Sequence, residues 1–170
     1  MLRTSNFVLR ALAAPELTYN IASGTLTGEI LGEHVSAQAG SGGRAGTKTA
    51  GARNWWLANN PLATHVRLSQ DKTRPGGPLP MGRYDVLVHP SKENWLRLEP
   101  HSVSAMKGRD GMAIHGRGPR GSDGCIVPTD FHVVIRLCDL VRRHRKSAGR
   151  DVVLEVIALG QDLDRQNRTA

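Results

Sequence analysis

One stretch of the chain gathers residues able to do covalent chemistry: Ile114-His115-Gly116-Arg117-Gly118-Pro119-Arg120-Gly121-Ser122-Asp123-Gly124-Cys125-Ile126-Val127. A histidine ends one short apolar segment and a cysteine opens the next. The loop between them is rich in glycine, polar and basic residues, so it can fold back and bring the two ends together. A thiol attacks carbonyl carbon as its thiolate, and a neighbouring imidazole can take the proton. Cys125 is therefore the candidate nucleophile of an acyl-transfer reaction, and His115 its candidate base. Gly124 leaves the backbone beside the sulfur uncrowded, so main-chain N–H groups there can face a developing oxyanion. Asp123 lies two residues before Cys125, which on a strand places both on one face. There it can accept a hydrogen bond from His115 and fix its tautomer, the third role of a triad. Arg117 and Arg120 add positive potential that favours a thiolate and attracts a carboxylate. Arg74 is a third candidate for that carboxylate, and plain solvent exposure is the competing reading for all three. Zinc fits less well, because His89, His101, His115 and Cys125 form no compact CxxC or HxxxH pair.

The elements that must position this loop read as strands. The chain has 170 residues, about one domain by length, with 19 Gly and 9 Pro. Leu17–Ile21 and Thr25–Leu31 read as a hairpin about Ala22-Ser23-Gly24. Gly40–Asn54 carries five glycines and no large apolar residue, which predicts a surface loop or a mobile flap over the site. Trp55, Trp56 and Leu57 are expected to return the chain to the core. Val66–Ser69 is a possible strand, and Pro75–Pro80 a strong turn. Gly82–His89, Trp95–Leu98, Ala113–His115, Cys125–Val127 and Asp151–Leu159 complete the strands. One long helix follows Pro128, capped by Thr129 or Asp130, with the stripe Phe131, Val134, Ile135, Cys138, Val141, and stopped by Gly149. Cys138 on that stripe is expected to be a small buried hydrophobe, leaving two free thiols. Residues 1–16 read as a frayed N-terminus without a clean signal-peptide core, and 160–170 as a tail.

Lys and Arg number 23 against 15 Asp and Glu, a formal charge of +8. That suits an anionic partner, and a non-catalytic polyanion-binding module is one alternative. The sequence carries no recognised nucleic-acid signature, so no specific nucleic acid is expected. No apolar run approaches the ~20 residues of a membrane-spanning helix.

The stretch 114–127 resembles the active-site signature of the L,D-transpeptidase (YkuD-like) catalytic domain: a His, a variable loop, then Ser/Thr-His-Gly-Cys. His115 matches the first His, Ser122 the Ser/Thr, Gly124 the Gly and Cys125 the nucleophile. Gly77-Pro78-Leu79-Pro80-Met81-Gly82-Arg83-Tyr84-Asp85-Val86 resembles the family's T-P-x-G-x-[FY] strand entry. Asp123 stands where most members have the second His. The Ser-x-Gly-Cys form is instead similar to a divergent branch, the L,D-transpeptidase effectors delivered by type VI secretion, in which the upstream His serves with the Cys.

The resemblance implies a mainly β fold with one long helix (α+β), a β-sandwich forming a single catalytic domain and acting without cofactor or metal. It implies a peptidoglycan stem tetrapeptide as donor, attacked by Cys125 with loss of the terminal D-alanine. Hydrolysis, D-amino-acid exchange or cross-linking would then resolve the thioester. It further implies a monomer reaching the periplasm of a target bacterium by a non-classical route, with a secretion-system carrier and a cognate immunity protein as partners. A cell-wall cysteine endopeptidase is the enzymatic alternative, but only His132 and His144 follow Cys125, both on the predicted helix.

Overall fold

The computed structural model describes residues 14–49 and 54–160. The predicted tail beyond residue 160, most of the N-terminal stretch and the tip of the glycine-rich loop lie outside those residues.

Eight strands form: β1 (Leu17–Asn20), β2 (Thr25–Ile30), β3 (Glu33–Ser41), β4 (Gly82–Val88), β5 (Trp95–Pro100), β6 (Ala113–His115), β7 (Ile126–Pro128) and β8 (Val152–Ile157). Together with helix α1 (Phe131–Ala148), the one α-helix among the described residues, they give the mainly β fold expected. The strands do not divide into two sheets. They close into one barrel in the order β1-β2-β3-β7-β6-β5-β4-β8. The reason lies at the edges. β8 pairs in parallel with β1 and antiparallel with β4, while β7 pairs with both β3 and β6. Both edges of the β1–β2–β3 meander are thus occupied, and a sheet without free edges is a closed one.

Alternation decides which side chains fill the barrel. Leu17 and Tyr19, Leu26 and Ile30, Tyr84 and Val86, Leu96 and Leu98, Ile114, Ile126, Leu154 and Val156 join one buried cluster. Their neighbours along each strand face outward. β2 and β3 meet through Leu31 and Gly32, at φ 54° and 76°. Those left-handed values at both central residues are what a tight two-residue hairpin requires.

Helix α1 is capped by the Asp130 carboxylate, which accepts from His132 N at 2.9 Å. It ends at Gly149, whose N–H donates to Arg145 O. Its buried face is Val134, Leu137, Cys138, Leu140, Val141 and His144. The predicted stripe is therefore rotated: Phe131 and Ile135 are exposed, because the face that meets the barrel also takes in Leu137, Leu140 and His144.

Three further expectations fail. Val66–Ser69 forms no strand, and Pro75–Pro80 forms no turn but a segment buried from Gly76 onward. Trp55 and Trp56 are 73% and 74% exposed, on a surface turn. The glycine-rich segment is anchored as far as Thr49. Gly43 N donates to Gly76 O, Arg44 N to Ser122 O and Lys48 N to Gly118 O, and Ala45 is buried against Ser122. Its lack of large side chains permits this, since backbone hydrogen bonds hold it in place of side-chain packing.

Candidate active site

Strands β6 and β7 run parallel, with Ile114 opposite Ile126. Both isoleucines point into the core. His115 ends β6 and Cys125 immediately precedes β7, so in the parallel pairing their backbones stand two positions apart along neighbouring segments. Strand spacing and rise put their Cα atoms about 8 Å apart. The loop between them thus brings the two backbone positions onto neighbouring segments. No hydrogen bond joins them in this state. The Cys125 thiol instead donates to Gly111 O at 3.9 Å, and catalytic hydrogen bonds in ligand-free enzymes are often unmade until substrate binds.

His115 is 6% exposed and held on two sides. Its Nδ1 lies 2.7 Å from Gly116 O. A carbonyl only accepts, so Nδ1 carries the hydrogen and Nε2 keeps the free lone pair. A Cβ on Gly116 would meet the Phe131 ring at 2.4 Å, so α1 packs directly on the residue that fixes the tautomer. The imidazole also stacks on Trp95 of β5, its register partner, with centroids 4.2 Å apart and planes within 5°. Lys92 Nζ sits 4.3 Å from the centre of the same indole.

Burial pushes the His115 imidazole below its ordinary pKa. The Gly116 hydrogen bond opposes the shift and the Lys92 charge adds to it. Burial pushes the Cys125 thiol up to about 11; Asp123 adds to that rise, while a hydrogen bond from the Ala113 backbone and the charges of Arg109 and Lys92 oppose it. At neutral pH the resting groups are therefore a neutral thiol and a neutral imidazole, not a thiolate–imidazolium pair. Such a site transfers its proton only as attack begins.

The loop before Cys125 is tightly built. Ser122, 1% exposed, donates through Oγ to Cys125 O and accepts from Gly124 N at 3.1 Å. Gly124 has φ 145°, and a Cβ there would meet Arg109 Nη2 at 2.4 Å and Met112 Sδ at 2.8 Å. The Gly124 N–H is committed to Ser122 and is not an oxyanion donor in this state.

Asp123 does not orient His115. Residues 123–125 form a bend, not a strand, and the carboxylate accepts from Gly76 N at 3.1 Å and lies 3.9 Å from Arg44 Nε. Its role is to tie the cysteine loop to the 76–80 segment. Arg117 and Arg120 are exposed on the 116–121 loop. Arg74 is exposed too, lining a cleft of about 980 Å³ with Arg67, Ser69, Gln70 and Asp71. Neither histidine of the endopeptidase alternative approaches the thiol. His132 is exposed in the first turn of α1, and His144 is buried at its far end, with Nδ1 3.2 Å from Arg150 O.

Four residues escaped the sequence reading. Arg109, 7% exposed, donates to Thr64 O, Pro78 O, Gly77 O and Asp123 O at 2.6–3.0 Å. Ser41 Oγ donates to Gly124 O at 3.0 Å and accepts from Leu79 N at 2.9 Å. Trp95 and Lys92 complete the set. The only signal for Arg109 was its place in a Gly-Arg-Asp-Gly turn; the others depend on strand register, which one sequence does not supply. Cys125 and Cys138 are both free thiols, and Cys138 is buried. Among the described residues no helix is long and apolar enough to cross a membrane. No family model matches the chain, and no curated protein matches it significantly.

Proposed function

We propose that the chain is a cysteine acyl-transfer enzyme acting on peptidoglycan stem tetrapeptides as an L,D-carboxypeptidase or L,D-transpeptidase. The observation that carries this reading is the placement of His115 at the end of β6 and Cys125 at the entry to β7, its parallel neighbour, with the imidazole buried, held below its ordinary pKa and free at Nε2. In the reaction Sγ attacks the carbonyl of the third stem residue while His115 takes the thiol proton. The bond to the D-alanine nitrogen breaks, the proton passes to that amine, and a thioester remains. Water, a D-amino acid or a second stem amine then releases Cys125. The +8 charge favours an anionic cell-wall substrate. Action in the periplasm of a target bacterium, after non-classical export, belongs to the same reading, as does control by an immunity protein.

Purified disaccharide tetrapeptide, incubated with the protein and followed by mass spectrometry, tests it. D-alanine release is expected, with Cys125→Ala abolishing it and His115→Ala lowering the rate on the order of 10²-fold or more. Release by Cys125→Ala at the wild-type rate would remove the nucleophile, and cleavage of cross-linked dimers in preference to tetrapeptide would favour an endopeptidase.

A further inference from the structure

Resting on that reading of His115 and Cys125, we infer that Trp95 is the positioning residue of the base: its indole, held by Lys92, is a platform that fixes the plane of the His115 ring. The imidazole stacks with its centroid 4.2 Å from that of the indole, and the ammonium lies 4.3 Å from the indole centre, so one ring carries both groups. Trp95 is only partly buried and does not enter the core, where its neighbour Leu96 is fully buried. Core packing therefore does not explain an aromatic residue at this position. Stacking does, because offset and parallel aromatic contacts fix ring orientation more strictly than aliphatic ones.

The restraints on His115 are complementary. The Gly116 carbonyl stops rotation of the imidazole about its own plane normal and selects the tautomer. The indole stops tilting out of that plane. Neither restraint alone leaves Nε2 a single direction. Lys92 contributes through the ring: a cation over the indole holds it still, and its charge weighs against protonation of the imidazole stacked there. A partly buried β5 residue thereby acts on a reaction it does not touch, and misplacing a catalytic group by about 1 Å is enough to cost on the order of 10²-fold in rate.

The test reads Cys125 directly and needs no substrate. The rate of iodoacetamide alkylation at Cys125 is followed by peptide mass spectrometry across pH for wild type, Trp95→Phe, Trp95→Leu and His115→Ala. A graded fall at neutral pH is expected. The Phe variant, with a smaller ring, should lie between wild type and Leu, and Leu should approach His115→Ala at about a tenfold loss, the thiolate fraction that one pKa unit represents. If the Leu variant does not fold, the Phe variant carries the test through NMR titration of the His115 ring, whose midpoint should rise towards the ordinary histidine value. Wild-type profiles in both Trp95 variants, beside a slowed His115→Ala, overturn the positioning role alone. An unslowed His115→Ala overturns the base assignment along with it.

Discussion

At the scale of single residues, the site is set by what each polar group is already bonded to. Asp123 is the clearest case. Its type and spacing fit a triad, yet its carboxylate is spent on Gly76 N, and the Gly116 carbonyl does the orienting of His115 instead. Its remaining influence on the sulfur is electrostatic and adverse, since a carboxylate near a thiol raises the thiol pKa. Asp123→Asn keeps an oxygen for Gly76 N and removes the charge. It should therefore speed alkylation of Cys125 at neutral pH, by roughly threefold for a shift of about half a pKa unit. A triad aspartate would give the opposite sign, because its loss leaves the imidazole in the wrong tautomer. The direction of the change, read by the same alkylation assay, separates the two roles.

At the scale of elements, the cysteine loop is held less by β6 and β7 than by the segments beneath it. β6 and β7 are three residues each, too short to fix a loop alone. Arg109 supplies what they lack by bonding four carbonyls from three separate segments, one of them that of Asp123. Arg109→Met fills similar space and leaves those carbonyls without a donor, so unfolding in urea should show a loss of about 3 kcal/mol or more, with the slope unchanged. A loss under about 1 kcal/mol would mean that water takes over the guanidinium's bonds.

The same contrast explains what the sequence could disclose. Gly82–Val88 announced itself by its alternating residue types and Val152–Ile157 by a β-branched run, the composition of strands buried on both faces. The His-loop-Cys constellation was visible because its two chemical residues sit at strand ends. β3 was missed because Ser, Gln, His and Glu occupy its outward positions and only Val35, Ala39 and Ser41 are buried. Trp55 and Trp56 misled in the other direction, since size and apolarity do not reveal that a turn leaves both outside. Arg109 carries a charge, and only the four converging carbonyls make it an interior residue.

At the scale of the molecule, barrel closure depends on the first strand meeting the last. That seam is a parallel pairing of β1 with β8, Leu17 opposite Leu154, between segments more than a hundred residues apart in sequence. Glu16 sits at its mouth. Its carboxylate accepts from Val153 N at 2.8 Å, bonds Arg150 Nη2 and lies 3.6 Å from His144 Nε2. Burial would raise the Glu16 pKa, but the Arg150 and Val153 hydrogen bonds and the charges of Arg150 and His144 outweigh it and hold the group below 4.5. A carboxyl with a depressed folded-state pKa stabilises fully above its unfolded value and loses that stabilisation as pH falls through the folded one. Glu16→Gln should therefore destabilise the barrel by about 1–3 kcal/mol at pH 7. The gap to wild type should begin to narrow below pH 4.5, as the wild-type carboxylate itself takes up a proton. Equilibrium unfolding at pH 7 and at pH 3 measures both ends of that curve. An equal gap at the two pH values would assign the effect to packing at the seam, whereas a gap that closes in acid identifies the carboxylate charge as the clasp between the first strand and the last.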